Sequence, residues 1–318
     1  MRLPGAARRG ADRLVALTSP SGSLRATVDL RGGGLHSLTL DGEPLVQTYD
    51  IEGPAPMCSG AVLFPWPNRV RGGRWTHGGK DLQLEVTEPE LSNANHGLVL
   101  DASVVVMSQR DDAVVVSTVV EQRTGYPFTV ALDTTYTVAD DSARIEHSID
   151  NRSAVPAPVA LGLHPYVRVG EVPIELLRLT VDAARHLPVD GSLIPVRDES
   201  VVGNVDLRGG PVLGRRELNA CLHQLAVVDG EHRHVLTAPD GRSVQVWTDT
   251  SFGYLQVYVT DCFPDPVTGP ARAIAIEPMT AAPDALNSGR GLRWLEPGER
   301  WDVSWGLRAV GWGSADAV

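Results

Sequence analysis

His164 and Glu277 carry the side chains best suited to acid–base chemistry in this sequence. His164 ends the apolar run 159–163 and precedes Pro165, which keeps the histidine in extended backbone. Glu277 follows a second apolar run, 273–276, where partial desolvation would raise its pKa and make it a useful general base. A histidine that can donate and a glutamate that can accept form a minimal acid–base pair. The structural alternatives are a hydrogen-bonded histidine at the end of a core strand and a carboxylate paired with an arginine at its rim.

A second group of polar side chains, in the stretch 60–98, is suited to holding a ligand. The prolines of the segment PWPNR favour a rigid extended backbone that leads directly into Asn68 and Arg69. His96 lies beside Gly97, after a polar run without strand or helix periodicity. Polar side chains on irregular backbone are typical of a binding surface. Arg69 and His96 are therefore predicted to join the acid–base pair in one polar site, whose ligand the residues alone do not identify.

The other histidines have simpler interpretations. His232 and His234 would share one face of a strand, as a metal pair requires, but the charged sequence EHRH favours a solvated hairpin tip. The sequence contains no HExxH, GxSxG or P-loop motif. We therefore predict neither a metal site nor a bound cofactor.

The composition is that of an ordinary globular protein. Hydrophobic residues make up 42% of the chain and charged residues 21%, and 28 basic against 39 acidic residues give a formal net charge of −11. This charge argues against nucleic acid as a partner, because nucleic-acid binding depends on clustered lysine and arginine. The three cysteines form no CxxC motif, no apolar run could span a bilayer, and the basic N-terminus lacks an apolar signal region. The sequence thus predicts a cytoplasmic protein without membrane partners, either a monomer or a homodimer.

Short strands and turns dominate the sequence. The segment 128–138 alternates along its length, and Asp41-Gly42 between two alternating runs is a strong hairpin signal. No segment shows a long helical period, although 215–225 is the best candidate for a short helical turn. There is neither a βαβ rhythm nor an obvious linker. The sequence predicts an all-β sandwich or barrel forming a single domain over 14–310, with flexible tails at 1–13 and 311–318.

An ordered set of motifs resembles the aldose 1-epimerases, or galactose mutarotases. The set begins with PWPNRVRGGRW and NANHGL in the stretch 60–98, continues with GYPF, GLHPY and LQVYV, and ends with IEPMTAAPDALNSG and LEPGE. Each motif alone is weak, but the motifs follow the family's order over nearly the whole chain. The resemblance implies a large antiparallel β-sandwich of the galactose mutarotase-like type, with a sugar on a concave face of the sheet and no cofactor.

The resemblance also implies which residues hold the sugar. The arginine of the family's NR motif and the histidine of its HG motif bind the sugar hydroxyls and ring, and here they are Arg69 and His96. Asn68 lies beside them, and Gln256 matches the glutamine that helps to position this region. These residues are expected to bind the small-molecule sugar.

The implied reaction exchanges the α and β anomers of a free hexose by ring opening and closure. The histidine of the HPY motif, His164, is expected to protonate the ring oxygen. The glutamate of the EP motif, Glu277, is expected to take the proton from the C1 hydroxyl. Rotation about the C1–C2 bond then exposes the other face of the carbonyl group, and closure reverses both proton transfers.

One departure from the family pattern concerns an aspartate that contacts a sugar hydroxyl in many members. Asn219 stands at the matching position, with Glu217 nearby as a possible substitute. Two alternatives to a free-hexose epimerase follow. A hexose-6-phosphate epimerase could use Arg71, Arg74 and Arg168 for the phosphate, and a sugar-binding or sensor protein could use the same fold without catalysis. Retention of the acid–base pair argues against the sensor.

Overall fold

The computed structural model describes residues 13–313, and the rest of the two predicted tails lies outside the described residues. Arg13 is buried and forms an ion pair with Asp29. Trp312 donates a hydrogen bond of 2.8 Å to the carbonyl oxygen of Ser243. Both residues thus belong to the folded part of the chain, although the sequence placed them in the tails.

The described residues form 25 strands and very little helix. In chain order the strands are β1 (Leu14–Thr18), β2 (Leu24–Asp29), β3 (Leu35–Leu40), β4 (Glu43–Pro44), β5 (Val62–Leu63), β6 (Arg69–Val70), β7 (Arg74–His77), β8 (Lys80–Gln83), β9 (Ala94–Asn95), β10 (Val105–Gln109), β11 (Ala113–Val120), β12 (Val130–Val138), β13 (Ser142–Asn151), β14 (Ala157–Val159), β15 (Gly162–Leu163), β16 (Arg178–Val181), β17 (Ala183–Leu187), β18 (Glu199–Ser200), β19 (Asn219–Leu225), β20 (Glu231–Thr237), β21 (Ser243–Asp249), β22 (Tyr254–Asp265), β23 (Gly269–Met279), β24 (Arg293–Leu295) and β25 (Arg300–Val310). Short 3-10 turns lie at Pro56–Cys58, Arg71–Gly73, Ile174–Leu176 and Gly203–Val205, and α1 spans Ala285–Ser288. Within residues 13–313, no helix has the length and apolar character needed to cross a membrane.

Two large antiparallel sheets dominate the architecture. One has eight strands in the order β10-β11-β12-β13-β25-β21-β20-β16, and the other has seven in the order β18-β17-β19-β22-β23-β15-β5. A four-stranded sheet, β1-β2-β3-β4, and three two-stranded ribbons complete the described strands. Side chains from both large sheets belong to one hydrophobic cluster. The prediction of an all-β antiparallel sandwich is confirmed.

Alternation along the seven-stranded sheet separates the core from the opposite face. On β22, Leu255 and Val257 are fully buried in the main hydrophobic cluster, and on β23 so is Ile276. Successive side chains of a strand point to opposite faces, so Gln256 and Glu277 point away from that cluster. The two are direct partners in the β22–β23 register. Apolar alternation on the core side thus places two polar side chains next to each other on the other face.

Two local predictions are wrong. The segment 215–225 contains no helical turn, because its second half forms β19 and pairs with β17 and β22, which satisfy its backbone groups. The histidines His232 and His234 do not lie at a solvated hairpin tip. They are 5% and 2% exposed on β20, while Glu231 and Arg233 occupy the opposite face.

Candidate active site

The floor of the candidate site is the polar face of the seven-stranded sheet. Gln256 Nε2 donates a hydrogen bond of 2.7 Å to Asn219 Oδ1, which joins β22 to β19. Glu277 lies opposite Gln256 on β23 and is 2% exposed. The floor therefore presents one carboxyl group beside a pair of amides.

His164 reaches the floor from the end of β15. Its backbone N–H donates to the carbonyl oxygen of Ala61 at 3.0 Å. A Cβ atom on Gly162 would lie 2.5 Å from Cβ of Pro67, so glycine is needed for this close approach. The His164 Nε2 and Glu277 Oε1 atoms are 3.5 Å apart, and both side chains are almost completely buried. The predicted acid–base pair is thus assembled from residues distant in the chain.

The two halves of the stretch 60–98 interlock to form one wall. Arg69 pairs with Asn95 in the β6–β9 ribbon, and the N–H of His96 donates to the carbonyl oxygen of Asn68 at 3.0 Å. In return, the N–H of Asn68 donates to His96 Nδ1 at 3.2 Å. Because Nδ1 accepts, neutral His96 carries its proton on Nε2 and can donate it to a ligand.

Unusual backbone conformations accompany this interlock. Asn68 and His96 have φ angles of 57° and 63°, a left-handed region that non-glycine residues rarely adopt. At Gly97, also left-handed, a Cβ atom would lie 2.2 Å from the carbonyl oxygen of Phe64. Strained backbone of this kind persists where surrounding contacts determine it, and it is common at functional sites.

All seven predicted site residues line one cavity of about 330 Å³, in the size range of small-molecule sites. They are Asn68, Arg69, His96, His164, Asn219, Gln256 and Glu277. The remaining lining residues are Met57, Cys58, Glu88, Leu91, Asn95, Tyr166, Leu193 and Tyr258. The most consequential residue that sequence reasoning missed is Glu88. The polar loop that carries Glu88 shows no periodicity, and its ion-pair partner, Arg69, comes from another segment of the chain.

Burial sets the protonation of the pair. It raises the pKa of Glu277 to about 8, with the positive charge of Arg69 acting in the opposite direction. It lowers the pKa of His164 to about 4 and that of His96 well below the ordinary imidazole value. Near pH 7 the pair therefore holds one proton, on the carboxyl group. The sequence had correctly predicted a raised pKa for Glu277, but not a neutral His164.

Several buried polar atoms around the cavity have no hydrogen-bond partner within the protein. They are Asn95 Oδ1, His164 Nδ1, Tyr166 Oη and Glu277 Oε2. A buried polar group left without a partner costs about 1–3 kcal/mol. The cavity wall is therefore rich in hydrogen-bonding capacity. In the part of the chain that the structure describes, no cluster of three or more histidine, cysteine or carboxylate side chains could hold a metal ion.

The residues considered for a phosphate lie elsewhere. Arg71 and Arg74 line a different cavity, and Arg71 forms an ion pair with Asp190 at 2.8 Å. Arg168 lines a third cavity. Glu217 is exposed and does not line the candidate site, whereas Asn219 does. At the position where many family members carry an aspartate, the side chain that lines the cavity is therefore that of Asn219, and Glu217 does not replace it.

Comparisons with known proteins agree with this architecture. The family model described as Aldose 1-epimerase matches residues 13–308. Among curated proteins, the uncharacterized protein YihR of Escherichia coli (strain K12) is 26% identical over 283 residues, covering 88% of each chain. The galactose mutarotase of Pongo abelii is 27% identical over 267 residues, covering 76% of each.

Solved structures show the same fold. The GalM/aldose epimerase homologue from Caenorhabditis elegans superposes with a TM-score of 0.82 at 20% identity, covering 93% of this chain and 98% of the other. The galactose 1-epimerase of Lactobacillus acidophilus superposes with a TM-score of 0.77 at 19% identity, covering 95% and 96%. The family match extends over nearly the whole described chain, and the protein belongs to the aldose 1-epimerase family.

Proposed function

We propose that this protein is an aldose 1-epimerase that interconverts the α and β anomers of a free hexose. The observation that carries the proposal is the buried His164–Glu277 pair, with 3.5 Å between Nε2 and Oε1, in a cavity that the other five predicted site residues also line. Arg69, His96, Asn68, Asn219 and Gln256 hold the sugar.

The pair supplies one proton donor and one proton acceptor, which is what the opening of a hemiacetal requires. Before a sugar binds, the proton rests on Glu277. A C1 hydroxyl that donates a hydrogen bond to the carboxyl group favours its ionised form, and the proton then moves to His164. Glu277 takes the O1 proton while His164 gives its proton to the ring oxygen, and the bond between C1 and the ring oxygen breaks. Ring closure after rotation about C1–C2 returns both protons.

The charges of the cavity support a free hexose over a hexose 6-phosphate. Among the described residues that line the cavity, Arg69 is the one arginine or lysine, and it already forms an ion pair with Glu88 at 2.7 Å. The arginines that could have bound a phosphate line other cavities. A phosphate group would therefore enter this site without an unpaired cation to bind it.

Anomer exchange of fresh α-D-glucose and α-D-galactose, followed by polarimetry and exchange NMR, tests the proposal. Replacing Glu277 by glutamine keeps the shape of the side chain and removes its acid–base function, so the rate should fall by about 10²–10⁴-fold. Glu217→Gln is a matched control, because Glu217 is exposed and outside the cavity. Wild-type protein no faster than buffer on any aldose would contradict the catalytic proposal. Sugar binding without turnover would instead favour the sensor.

A further inference from the structure

We propose that Glu88 is a positioning and specificity-determining residue: it holds Arg69 against the sugar and cancels its charge, so that the cavity selects neutral over anionic sugars. This inference rests on the proposed function. It assigns a task to a cavity residue that lies outside the predicted set of sugar-binding and proton-transfer residues.

The contact between Glu88 and Arg69 is bidentate. Arg69 Nε donates to Glu88 Oε2 at 2.8 Å, and Nη2 donates to Oε1 at 2.7 Å. The two side chains are 15% and 20% exposed, so the pair is largely shielded from water. A guanidinium group fixed at two points has a defined orientation, which a single hydrogen bond would not provide. Glu88 thus determines where Arg69 can meet a ligand.

The loop that carries Glu88 is itself held in place. Backbone hydrogen bonds join Glu88 and Asn93 in both directions, at 3.0 and 3.2 Å. Asn93 Nδ2 donates to the carbonyl oxygen of Ser192 at 2.9 Å, which ties this loop to the one that places Leu193 in the cavity wall. Glu88 therefore faces the cavity from a loop that hydrogen bonds hold in place.

The charges of the cavity explain why the Arg69–Glu88 pair would favour neutral over anionic sugars. Arg69 and Glu88 together are neutral, and the His164–Glu277 pair with its one proton is also neutral. An anionic group that approached Arg69 would also be repelled by the Glu88 carboxylate, which is bound to Nε and Nη2 of the guanidinium group. With Glu88 replaced by glutamine, Arg69 would keep a hydrogen-bond acceptor and regain an unpaired positive charge. The variant should then bind anionic sugars better, although its geometry changes little.

The experiment compares sugars that differ only at C6: D-glucose with D-glucuronate, and D-galactose with D-galacturonate. The kcat/KM for anomer exchange and the Kd from NMR titration are measured for wild type, Glu88→Gln, Glu88→Asp and Glu90→Gln. Glu90 is an exposed carboxylate of the same loop and serves as the matched control. The Kd series gives the selectivity for charge even where turnover is absent.

Wild type and Glu90→Gln should prefer the neutral sugar, and Glu88→Gln should shift the anionic-to-neutral ratio by roughly tenfold or more towards the anion. Glu88→Asp keeps the negative charge and should keep the wild-type preference. A ratio in Glu88→Gln equal to that in Glu90→Gln would overturn the inference and leave Glu88 as a purely structural partner. Wild-type protein that binds the uronate as well as the hexose would overturn it without any variant. Absence of turnover in wild type, with the charge preference intact in Kd, would contradict the proposed catalysis and not the role of Glu88.

Discussion

The pH dependence of anomer exchange should report the single proton shared by His164 and Glu277. Below pH 4 the pair carries two protons and has no acceptor, and above pH 8 it carries none and has no donor, because the two pKa values are about 4 and about 8. Between these limits kcat/KM should be nearly flat. Beyond either limit it should fall about tenfold per pH unit, so that the rate at pH 9 is roughly a tenth of that on the plateau.

Other titratable groups near Glu277 should not obscure this profile. Burial raises the pKa of Cys58 to about 12 and raises the pKa values of Tyr166 and Cys221 further, so these groups stay neutral across the range. His96 is neutral too, because burial lowers its pKa well below the ordinary value. The alkaline limit therefore reports the proton of the pair.

Exchange NMR between pH 3.5 and 9.5, with buffer blanks subtracted at each pH, gives the profile. Glu277→Gln should lose the alkaline limit along with most of the rate. The refuting result is a bell bounded by the ordinary values of a carboxyl group and an imidazole, about 4.3 and 6.5. That profile would mean that an ionised Glu277 and a protonated His164 are the resting forms, and that burial does not control the pair.

Two further predictions concern stability, measured by urea unfolding at pH 7. Gly97→Ala should cost at least about 2 kcal/mol and weaken sugar binding, because the new Cβ would lie 2.2 Å from the carbonyl oxygen of Phe64. Gly79→Ala, with a similar φ angle of 74° and no atom within 4 Å, should cost clearly less; equal costs would exclude the steric explanation. His234→Leu should stabilise the protein by about 1–3 kcal/mol, because both imidazole nitrogens are buried without a partner. Destabilisation by His234→Leu would show that these nitrogens are hydrogen-bonded in solution.

The sequence predicts the main site residues because each stands at a junction that local patterns reveal. His164 and Glu277 each end an apolar run of the sequence, and the antiparallel pairing of β15 with β23 brings the two side chains together. Arg69 follows a proline-rich segment. His96 precedes Gly97, where the close contact with the backbone of Phe64 leaves no room for a side chain. For His164 and Glu277, a change from an apolar run to a polar residue marks the position. The family motifs add the roles, which the residues alone do not give.

The misses have equally specific causes. The run EHRHVLT contains a clear period of two, with His232, His234 and Leu236 on one face, but charged residues between them suggested a solvated tip. The actual turn lies just before, at Asp229-Gly230, so the alternation already belongs to a buried strand. Glu88 could not be found locally, because its significance depends on an arginine 19 residues earlier in the chain. An ion pair between two separate segments of the chain depends on the tertiary structure, which local sequence patterns do not reveal.

The protonation of the acid–base pair is a further tertiary property, and it connects the proposed chemistry to the proposed selectivity. Ring opening and closure start and end with a neutral sugar, and the reaction moves protons without consuming them. An unpaired charge on Arg69 would stabilise ionised Glu277 and disfavour a protonated His164, and so would bias the exchange between the two residues. Arg69 still lowers the pKa values of both residues, and the opposite charge of the Glu88 carboxylate limits this effect at the same place where it repels anionic sugars. The same ion pair would therefore set the charge of the accepted substrate and preserve the one-proton state that catalysis needs.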